Sequence, residues 1–222
     1  IAIGTTTIAN GPSTTAVGGE ANATGTAATA FGWQSSATAE RAHALGHLAN
    51  AGGIRSTAVG EAANASGLES TAVGNQSRAE GVDATSFGTV AAANGNSTTA
   101  LGGEAFTGTV AAGADLNAGG LVATGGAPGA SAVGWRATAT AERAQAFGHL
   151  ASASGVRSTA VGEDASANSL ESVSIGNQTT ATGNDAVAIG TTTIANGNSS
   201  TAVGGEATAD GVAATAYGWQ SS

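Results

Sequence analysis

A 14-residue repeat constrains the fold of this chain more than any other feature. A large apolar residue followed by Gly recurs at this interval, as in Ser56-Thr57-Ala58-Val59-Gly60. Before a single break in phase, the apolar residues are Ile3, Val17, Phe31, Leu45, Val59, Val73, Phe87 and Leu101. After the break they are Val133, Phe147, Val161, Ile175, Ile189, Val203 and Tyr217. Self-similarity at a fixed period indicates a repeat architecture, because a disordered low-complexity linker has no reason to keep its register.

A longer duplication overlies the short repeat. Residues 39–88 resemble residues 141–190, and residues 3–25 resemble residues 87–108. The two segments of the first pair lie farther apart in the sequence than those of the second pair, by little more than one repeat. The break in phase therefore contains an insertion of about that length. The insertion is predicted to be a protruding β-hairpin or, alternatively, a degenerate coil with a few further residues. We therefore divide the chain into β-roll repeats at 1–105, an insertion at 106–130 and repeats of the same continuous roll at 131–222.

Each repeat is predicted to form two short strands and two turns. In Ala28-Thr29-Ala30-Phe31 the side chains alternate between a small face and a face with the large apolar residue. Gly25 and Gly32 follow the two strand-like pieces and permit turns with positive φ, while the Gly and Thr content disfavours helix. Stacked coils of this kind predict an all-β parallel β-solenoid, a thin roll of two parallel sheets with about 4.8 Å per coil.

In such a thin roll both faces of each strand carry side chains that are unsuited to water. We therefore expect the chain to associate with copies of itself as part of its fold. The sequence does not settle which face lines the roll, but we favour the large apolar residues as its core. The predicted core residues are Val17, Phe31, Leu45, Val59, Val73, Phe87, Leu101, Val133, Phe147, Val161, Ile175, Ile189, Val203 and Tyr217. The opposite face holds only Ala, Ser and Thr and lets a backbone approach closely. The simplest arrangement that buries it is a closed symmetric oligomer.

Composition and charge argue against several classes of protein. Ala, Gly, Ser and Thr supply 54, 36, 21 and 30 of the 222 residues, which leaves few large side chains for the core of an enzyme. The net charge is −9, with six Arg and no Lys, whereas a nucleic-acid binder needs a basic face. The sequence contains no run of about 20 consecutive apolar residues, which a membrane-spanning helix would need. Without Cys there is neither a disulfide framework nor a thiolate metal site.

The sequence predicts no catalytic, cofactor or metal site. It contains no G-x-S-x-G elbow and no Lys for a phosphate loop, and a thin roll offers no cleft. His47 and Glu61, like His149 and Glu163, lie one coil apart, and imidazole with carboxylate suits zinc. Two ligands do not make a site, so metal binding is not expected.

The residue after each strand Gly forms a column along one turn. Trp33, Trp135 and Trp219 occupy this column, and His47 and His149 follow one coil after the first two Trp. Aromatic residues and Arg dominate binding hot spots, so these five residues are candidates for a ligand surface. The alternative is that each Trp covers a gap at the seam between subunits, as large aromatic side chains usually are mostly buried.

Paired charges mark the other turn. Arg41 and Arg143 each follow a Glu, and Arg55 and Arg157 lie one coil later at the same offset. We predict a salt-bridge ladder within or between subunits, in which each exposed pair contributes roughly 0–1 kcal/mol. The functional alternative makes these four Arg part of a charged surface for an extracellular ligand.

The phrases Ser56-Thr57-Ala58-Val59-Gly60 and Asp185-Ala186-Val187-Ala188-Ile189-Gly190 resemble the head repeat of the YadA-like trimeric autotransporter adhesins. The resemblance covers nearly the whole chain outside the break, and period, strand phrase and Gly position all agree. It implies a left-handed parallel β-roll that forms a homotrimer on the outer surface of a Gram-negative bacterium. A hairpin insertion between head repeats also occurs in this family.

The resemblance also implies a function. Heads of this family bind host extracellular matrix proteins or host cells, so the expected function is adhesion and a part in virulence. The alternative is a structural spacer or self-association module, active in autoagglutination or biofilm formation, with no ligand site of its own. The sequence lacks the family's heptad stalk, neck and membrane anchor, so we expect a truncated head whose outer-membrane anchor belongs to the full-length protein.

Overall fold

Short β-strands are the only regular elements in the part of the chain that the structure describes. The computed structural model describes residues 1–107 and 127–222, with 29 strands of two or three residues. No helix in these two ranges is long and apolar enough to cross a membrane. The chain forms two compact units, Ile1–Glu104 and a second unit whose described residues are 105–107 and 127–222.

The first unit contains strands β1 to β15. Their bounds are β1 Ala2–Ile3, β2 Ile8–Ala9, β3 Thr15–Val17, β4 Asn22–Ala23, β5 Thr29–Phe31, β6 Ser36–Ala37, β7 His43–Leu45, β8 Asn50–Ala51, β9 Thr57–Val59, β10 Asn64–Ala65, β11 Thr71–Val73, β12 Arg78–Ala79, β13 Thr85–Phe87, β14 Ala92–Ala93 and β15 Thr99–Leu101.

The second unit contains strands β16 to β29. Their bounds are β16 Phe106–Thr107, β17 Ser131–Val133, β18 Thr138–Ala139, β19 Gln145–Phe147, β20 Ser152–Ala153, β21 Thr159–Val161, β22 Ser166–Ala167, β23 Val173–Ile175, β24 Thr180–Ala181, β25 Val187–Ile189, β26 Ile194–Ala195, β27 Thr201–Val203, β28 Thr208–Ala209 and β29 Thr215–Tyr217.

The two strands of each coil belong to two different parallel sheets. In each unit the odd-numbered, three-residue strands (β1 has two) form sheet A, and the even-numbered strands form sheet B. Neighbouring strands pair in parallel in a register of one repeat: Val17 pairs with Phe31, and Phe31 pairs with Leu45. In the second unit Val133 pairs with Phe147 in the same way. The predicted parallel β-solenoid of 14-residue coils is therefore confirmed.

Small side chains fill the interior of the roll. In one coil Ala16, Ala21, Ala23 and Ala28 point inward, and none of them is accessible to solvent. Ser or Thr replaces Ala at some of these positions, as with Ser56, which is also fully buried. Strands of two or three residues joined by tight turns hold the two sheets too close for larger side chains. The Ala and Ser face that the sequence singled out is thus the inner face.

The predicted inward orientation of the large apolar residues is wrong. These side chains lie on the outer face of sheet A, where Phe31 is 55% exposed beside the fully buried Ala30. Because side chains alternate along a strand, burial of Ala on one face places the large residue on the other. The residues to which this correction applies are Val17, Phe31, Leu45, Val59, Val73, Phe87, Leu101, Val133, Phe147, Val161, Ile175, Ile189, Val203 and Tyr217.

Residues in the left-handed conformation recur at every seventh position of the described coils. Gln34 and Arg41 are examples, with φ of 53° and 56°. The backbone N–H of Gln34 donates to the carbonyl of Gly19 at 2.9 Å, and that of Arg41 donates to the carbonyl of Thr26 at 2.8 Å. This conformation costs a non-Gly residue about 1–2 kcal/mol, and the bonds between coils help to offset that cost.

The two Gly residues predicted at the turns have different roles. Gly32 has a φ of 135°, as the sequence predicted. Gly25 has no positive φ; instead, a Cβ on it would clash with the backbone carbonyl of Ala39 in the next coil. Gly25 is therefore needed for close approach between coils rather than for an unusual dihedral angle.

The predicted insertion at 106–130 lies mostly outside the described residues. Its first two residues form β16, which pairs with β18, and the structure describes the chain again from residue 127. The choice between a hairpin and a degenerate coil for 108–126 stays a prediction. The division into 1–105, 106–130 and 131–222 stays one as well.

Candidate ligand and assembly surfaces

One turn of the roll carries a column of aromatic and polar side chains, called here the turn-1 ladder. Its members directly follow the Gly that ends each sheet A strand. In the first unit the ladder comprises Thr5, Gly19, Trp33, His47, Glu61, Asn75, Thr89 and Gly103. In the second unit it comprises Trp135, His149, Glu163, Asn177, Thr191, Gly205 and Trp219.

Trp33 is packed between the coils on either side of it. Its indole stacks on the imidazole of His47 with ring centroids 5.0 Å apart and an interplanar angle of 17°. On the preceding coil it lies against Gly19, where an added Cβ would come within 2.9 Å of Trp33 Cδ1. One face of the indole is therefore covered by His47 and its Cδ1 lies close to Gly19, while Trp33 remains 48% exposed.

His47 continues the ladder into a hydrogen-bonded carboxylate. Its Nδ1 lies 3.5 Å from Oε1 of Glu61, and Nδ2 of Asn75 donates to Oε2 of Glu61 at 3.0 Å. All three side chains are at least partly exposed. Four successive coils thus present, in order, an aromatic edge, an imidazole, a carboxylate and an amide.

The second unit repeats this arrangement. Trp135 stacks on His149 at 5.0 Å and 10°, and His149 Nδ1 lies 3.5 Å from Glu163 Oε1. Asn177 Nδ2 donates to Glu163 Oε2 at 3.1 Å. Arg136 adds a contact that the first unit lacks, with its Cζ 5.3 Å from the Trp135 ring centroid.

Trp219 lies on the ladder of the second unit and is more exposed than the other two Trp. Its six-membered ring lies against Gly205, one coil earlier, where an added Cβ would clash with Cζ3 and Cε3. Its exposure is 68%, against 47% for Trp135. A Gly therefore precedes both Trp33 and Trp219 on the ladder, which shows that each indole packs on bare backbone.

The outer face of sheet A carries a continuous row of large apolar side chains, called here the sheet A stripe. Its members are the large apolar residues, one per coil, that the sequence analysis assigned to the core. They run from Val17 to Leu101 in the first unit and from Val133 to Tyr217 in the second. The parallel pairing stacks them directly on one another, as for Val59 and Val73. A row of exposed apolar side chains rimmed by polar residues marks an interaction surface.

The family of the chain is decided by a match along its length. The model of the YadA head domain repeat (two copies) matches residues 1–21, 23–49, 51–77, 79–105, 127–151, 146–165, 153–177, 167–193 and 195–221. The chain belongs to the YadA head family. Family members are adhesins, a non-enzymatic kind of protein, and are exposed on the surface of Gram-negative bacteria.

Comparison with solved structures also finds similar proteins. This YadA-type head is similar to the crystal structure of the collagen-binding domain of the Yersinia adhesin YadA, with 25% sequence identity and a TM-score of 0.45. The similarity covers 71% of this chain and 70% of that chain. No curated protein matches this YadA-type head.

The Arg candidates of the YadA-type head lie at its other turn and pair with Glu. Arg41 Nε is 3.8 Å from Glu40 Oε1, and the Arg55 guanidinium forms an ion pair with Glu69 in the next coil. In the second unit Arg143 lies 3.8 Å from Glu142, and Arg157 pairs with Glu171. The structure thus shows a short charge ladder within each unit, with Arg55 and Arg157 paired forward along the roll.

The described residues offer little to a metal ion or a small molecule. No group of three or more His, Asp and Glu that could hold a metal occurs within 1–107 and 127–222. One open depression in the first unit is lined by Ala62, Asn64, Gln76 and Arg78. His47 with Glu61 remains a two-ligand arrangement, and Glu61 is also held by Asn75.

Sequence reasoning found the ladder but missed two of its properties. The repeat period placed Trp33 and His47 in one column, which the structure confirms. The period did not reveal that the Trp33 indole lies close to Gly19, although a Gly directly before Trp in the column was a visible signal. It also missed that the sheet A stripe is exposed, because the large residues were assigned to the interior.

Proposed function

We propose that this chain is the head of a homotrimeric adhesin on the surface of a Gram-negative bacterium and that it binds host extracellular matrix proteins or host cells. The match of the YadA head repeat along almost all of the described residues carries this proposal. In the full-length protein a membrane anchor outside this sequence would hold the head at the outer membrane.

The sheet A stripe supports the trimer. Phe31, Leu45, Phe87 and Phe147 are all more than a third exposed in the single chain. Burial of apolar surface stabilises association by about 25 cal/mol per Å², and the stripe supplies such surface in every coil. Three chains also triple the number of ligand sites, so weak single contacts give strong avidity.

The turn-1 ladder is the surface that we propose for the ligand. Its Trp edges and His rings are exposed, and the stacking holds them in fixed positions before any ligand binds. Fixed aromatic groups lose little conformational entropy on binding, and Trp and Arg are enriched in hot spots. Arg41, Arg55, Arg143 and Arg157 on the other turn are the corresponding charged candidates.

Binding of the purified chain to immobilised collagen, fibronectin and laminin, and to cultured host cells, tests the proposal. We expect at least one of these surfaces to retain the trimer. The triple variant Trp33→Ala, Trp135→Ala, Trp219→Ala is expected to bind at least ten-fold more weakly while keeping the trimeric mass. A matched control, Thr138→Ala with Ser152→Ala on the outer face of sheet B, is expected to bind normally.

The outcomes test the adhesin function and the proposed ligand site separately. A folded trimer that binds none of the four surfaces would overturn the adhesin and favour the structural spacer or self-association module. Normal binding by a trimeric Trp variant would overturn the turn-1 ladder as the ligand site, while the adhesin would stand.

A further inference from the structure

We infer that the turn-1 ladder binds the arginine side chains of a basic protein segment, each guanidinium lying over an indole and pairing with the carboxylate beside it. The two subsites are Trp33 with Glu20 and Trp219 with Glu206. This inference rests on the proposed ligand surface, and it adds the chemical group that the surface recognises.

One indole of the ladder already carries a guanidinium from its own chain. Cζ of Arg136 lies 5.3 Å from the centroid of the Trp135 ring, within the range of about 6 Å over which a cation is attracted to an aromatic face. The planar guanidinium also stacks on aromatic rings, which the compact ammonium of Lys does not. The arrangement at Trp135 is therefore an internal example of the contact that we assign to a ligand.

The other two Trp of the ladder are followed by Gln instead of Arg. Gln34 and Gln220 follow Trp33 and Trp219, and both have the left-handed conformation of Arg136, with φ of 53° and 54° against 54°. The turn geometry is thus the same in all three places, and only the side chain differs. Because Gln carries no charge, the cation over these two indoles has to come from another molecule.

Each of these Gln also holds a carboxylate beside its Trp. Nε2 of Gln34 donates to Oε2 of Glu20 at 2.7 Å, and Nε2 of Gln220 donates to Oε2 of Glu206 at 2.8 Å. Both Glu are exposed, and the described part of the chain supplies no ion-pair partner to either. The second oxygen of each carboxylate is therefore available to a guanidinium, whose fork of N–H groups matches carboxylate geometry.

Space for the ligand group exists on the Gly19 side of Trp33. His47 covers one face of the indole, and on the other side only Cδ1 and Nε1 come within 4 Å of the place that a Cβ of Gly19 would occupy. The next side chain along the ladder in this direction belongs to Thr5, two coils from Trp33. The missing side chain leaves about one coil spacing, 4.8 Å, which admits a flat group stacked on the six-membered ring. Trp219 is still more open, at 68% exposure.

The charge of the chain also favours a basic partner. Fifteen acidic residues against six Arg give a net charge of −9. Complementary potentials speed association and suppress wrong partners, so a segment with several Arg is attracted before it reaches the ladder. We therefore expect binding to weaken as the salt concentration rises.

Two labelled peptides test for recognition of the guanidinium. One consists of alternating Gly and Arg, and in the other citrulline replaces every Arg, which keeps the shape of the side chain and removes its charge. Fluorescence anisotropy at low ionic strength is expected to show at least ten-fold tighter binding of the Arg peptide to the purified chain. Equal binding of the two peptides, or no binding of the Arg peptide, would overturn the inference.

Closing the subsites with the chain's own Arg separates them from a general attraction between opposite charges. Gln34→Arg with Gln220→Arg copies the arrangement at Trp135 and is expected to bind the Arg peptide at least five-fold more weakly. Gln76→Arg with Gln178→Arg is the matched control, because it adds the same charge at the same left-handed turn position beside an Asn instead of a Trp. The control is expected to bind like the parent, and an equal loss in both variants would overturn the inference.

A second pair of variants covers the case in which an introduced Arg disturbs the fold. Glu20→Gln with Glu206→Gln removes the two carboxylates and is expected to bind the Arg peptide at least three-fold more weakly, with an unchanged circular dichroism spectrum. Asp83→Asn with Asp185→Asn removes the same charge at the other turn and is expected to bind like the parent. Unchanged binding by the Glu20→Gln, Glu206→Gln variant would contradict the inference.

The adhesin and its arginine subsites can fail separately. Retention of the chain on matrix proteins or host cells, without affinity for the Arg peptide, would overturn this inference and leave the adhesin standing. Affinity for the Arg peptide that is lost in the Gln34→Arg, Gln220→Arg variant, in a chain that binds none of those surfaces, would support this inference and overturn the adhesin.

Discussion

The indole of Trp33 stacks on the imidazole of His47, one coil later, with ring centroids 5.0 Å apart. The same pair recurs as Trp135 and His149 at the same distance. The solenoid repeat places the two rings on adjacent coils at nearly the spacing that aromatic stacking prefers, about 4.5–7 Å. A repeat that stacks backbones thus also stacks side chains and holds an exposed aromatic edge in place.

The close approach of Trp33 to Gly19 gives the first prediction. Gly19→Ala puts a Cβ within 2.9 Å of Trp33 Cδ1 and forces the indole to shift. We expect a loss of about 1 kcal/mol of stability, comparable to an aromatic contact, and a red shift of Trp33 fluorescence. The measurement uses a Trp135→Phe, Trp219→Phe background so that Trp33 is the sole Trp.

Gly52 provides the matched control for that substitution. A Cβ on Gly52 meets nothing within 4 Å, so Gly52→Ala is expected to leave both stability and emission unchanged. Identical spectra for Gly19→Ala and the parent would show that the indole does not rest on Gly19.

The fold could be predicted because the 14-residue period of the sequence determines how the strands pair. The sequence offset from Val17 to Phe31 is also the pairing register, so the sequence alone specified parallel strands and stacked coils. The orientation of Phe31 was predicted wrongly because a large apolar residue usually points into a core. Here the core is so narrow that only residues such as Ala30 fit, and the large side chains face outward, where neighbouring chains are proposed to cover them.

The narrow interior gives the second prediction. Ala58→Leu adds a large side chain at a fully buried position of β9. Overpacking typically costs roughly 1–3 kcal/mol, and occasionally more, and we expect about 3 kcal/mol here because backbone surrounds the site on both sheets. Thermal unfolding followed by circular dichroism measures the loss. Val59→Leu, on the outer face of the same strand, is expected to unfold within a few degrees of the parent; equal melting of Ala58→Leu and the parent would contradict the inward assignment.

The left-handed turn residues give the third prediction. Val90 adopts a φ of 59°, which is costly for a β-branched side chain. Asn tolerates this conformation, and its N–H preserves the bond to the carbonyl of Asn75 at 2.9 Å. Val90→Asn is therefore expected to raise the free energy of unfolding by about 1 kcal/mol. Chemical denaturation checks this, and a lower midpoint than that of the parent would refute it.

The candidate site was only partly accessible to sequence reasoning. The column order of Trp33, His47 and Glu61 follows directly from their spacing, and so did the selection of Trp33 and His47 as surface candidates. The stacking of the indole on His47 and the Asn75 bond to Glu61 depend on side-chain rotamers, which no periodicity encodes. The forward pairing of Arg55 with Glu69 was missed, although the two residues lie one repeat apart and their adjacency was therefore visible in the sequence.

The mass of the purified chain in solution tests the central claim most directly, because the exposed sheet A stripe requires a partner. Light scattering on a sizing column is expected to give three times the 20.7 kDa of one chain. Val59→Asp with Val161→Asp, which charges the stripe in both units, is expected to lower this mass toward that of one chain. A stable species with the mass of a single unmodified chain would contradict the account, since the stripe would then be exposed to water without a partner.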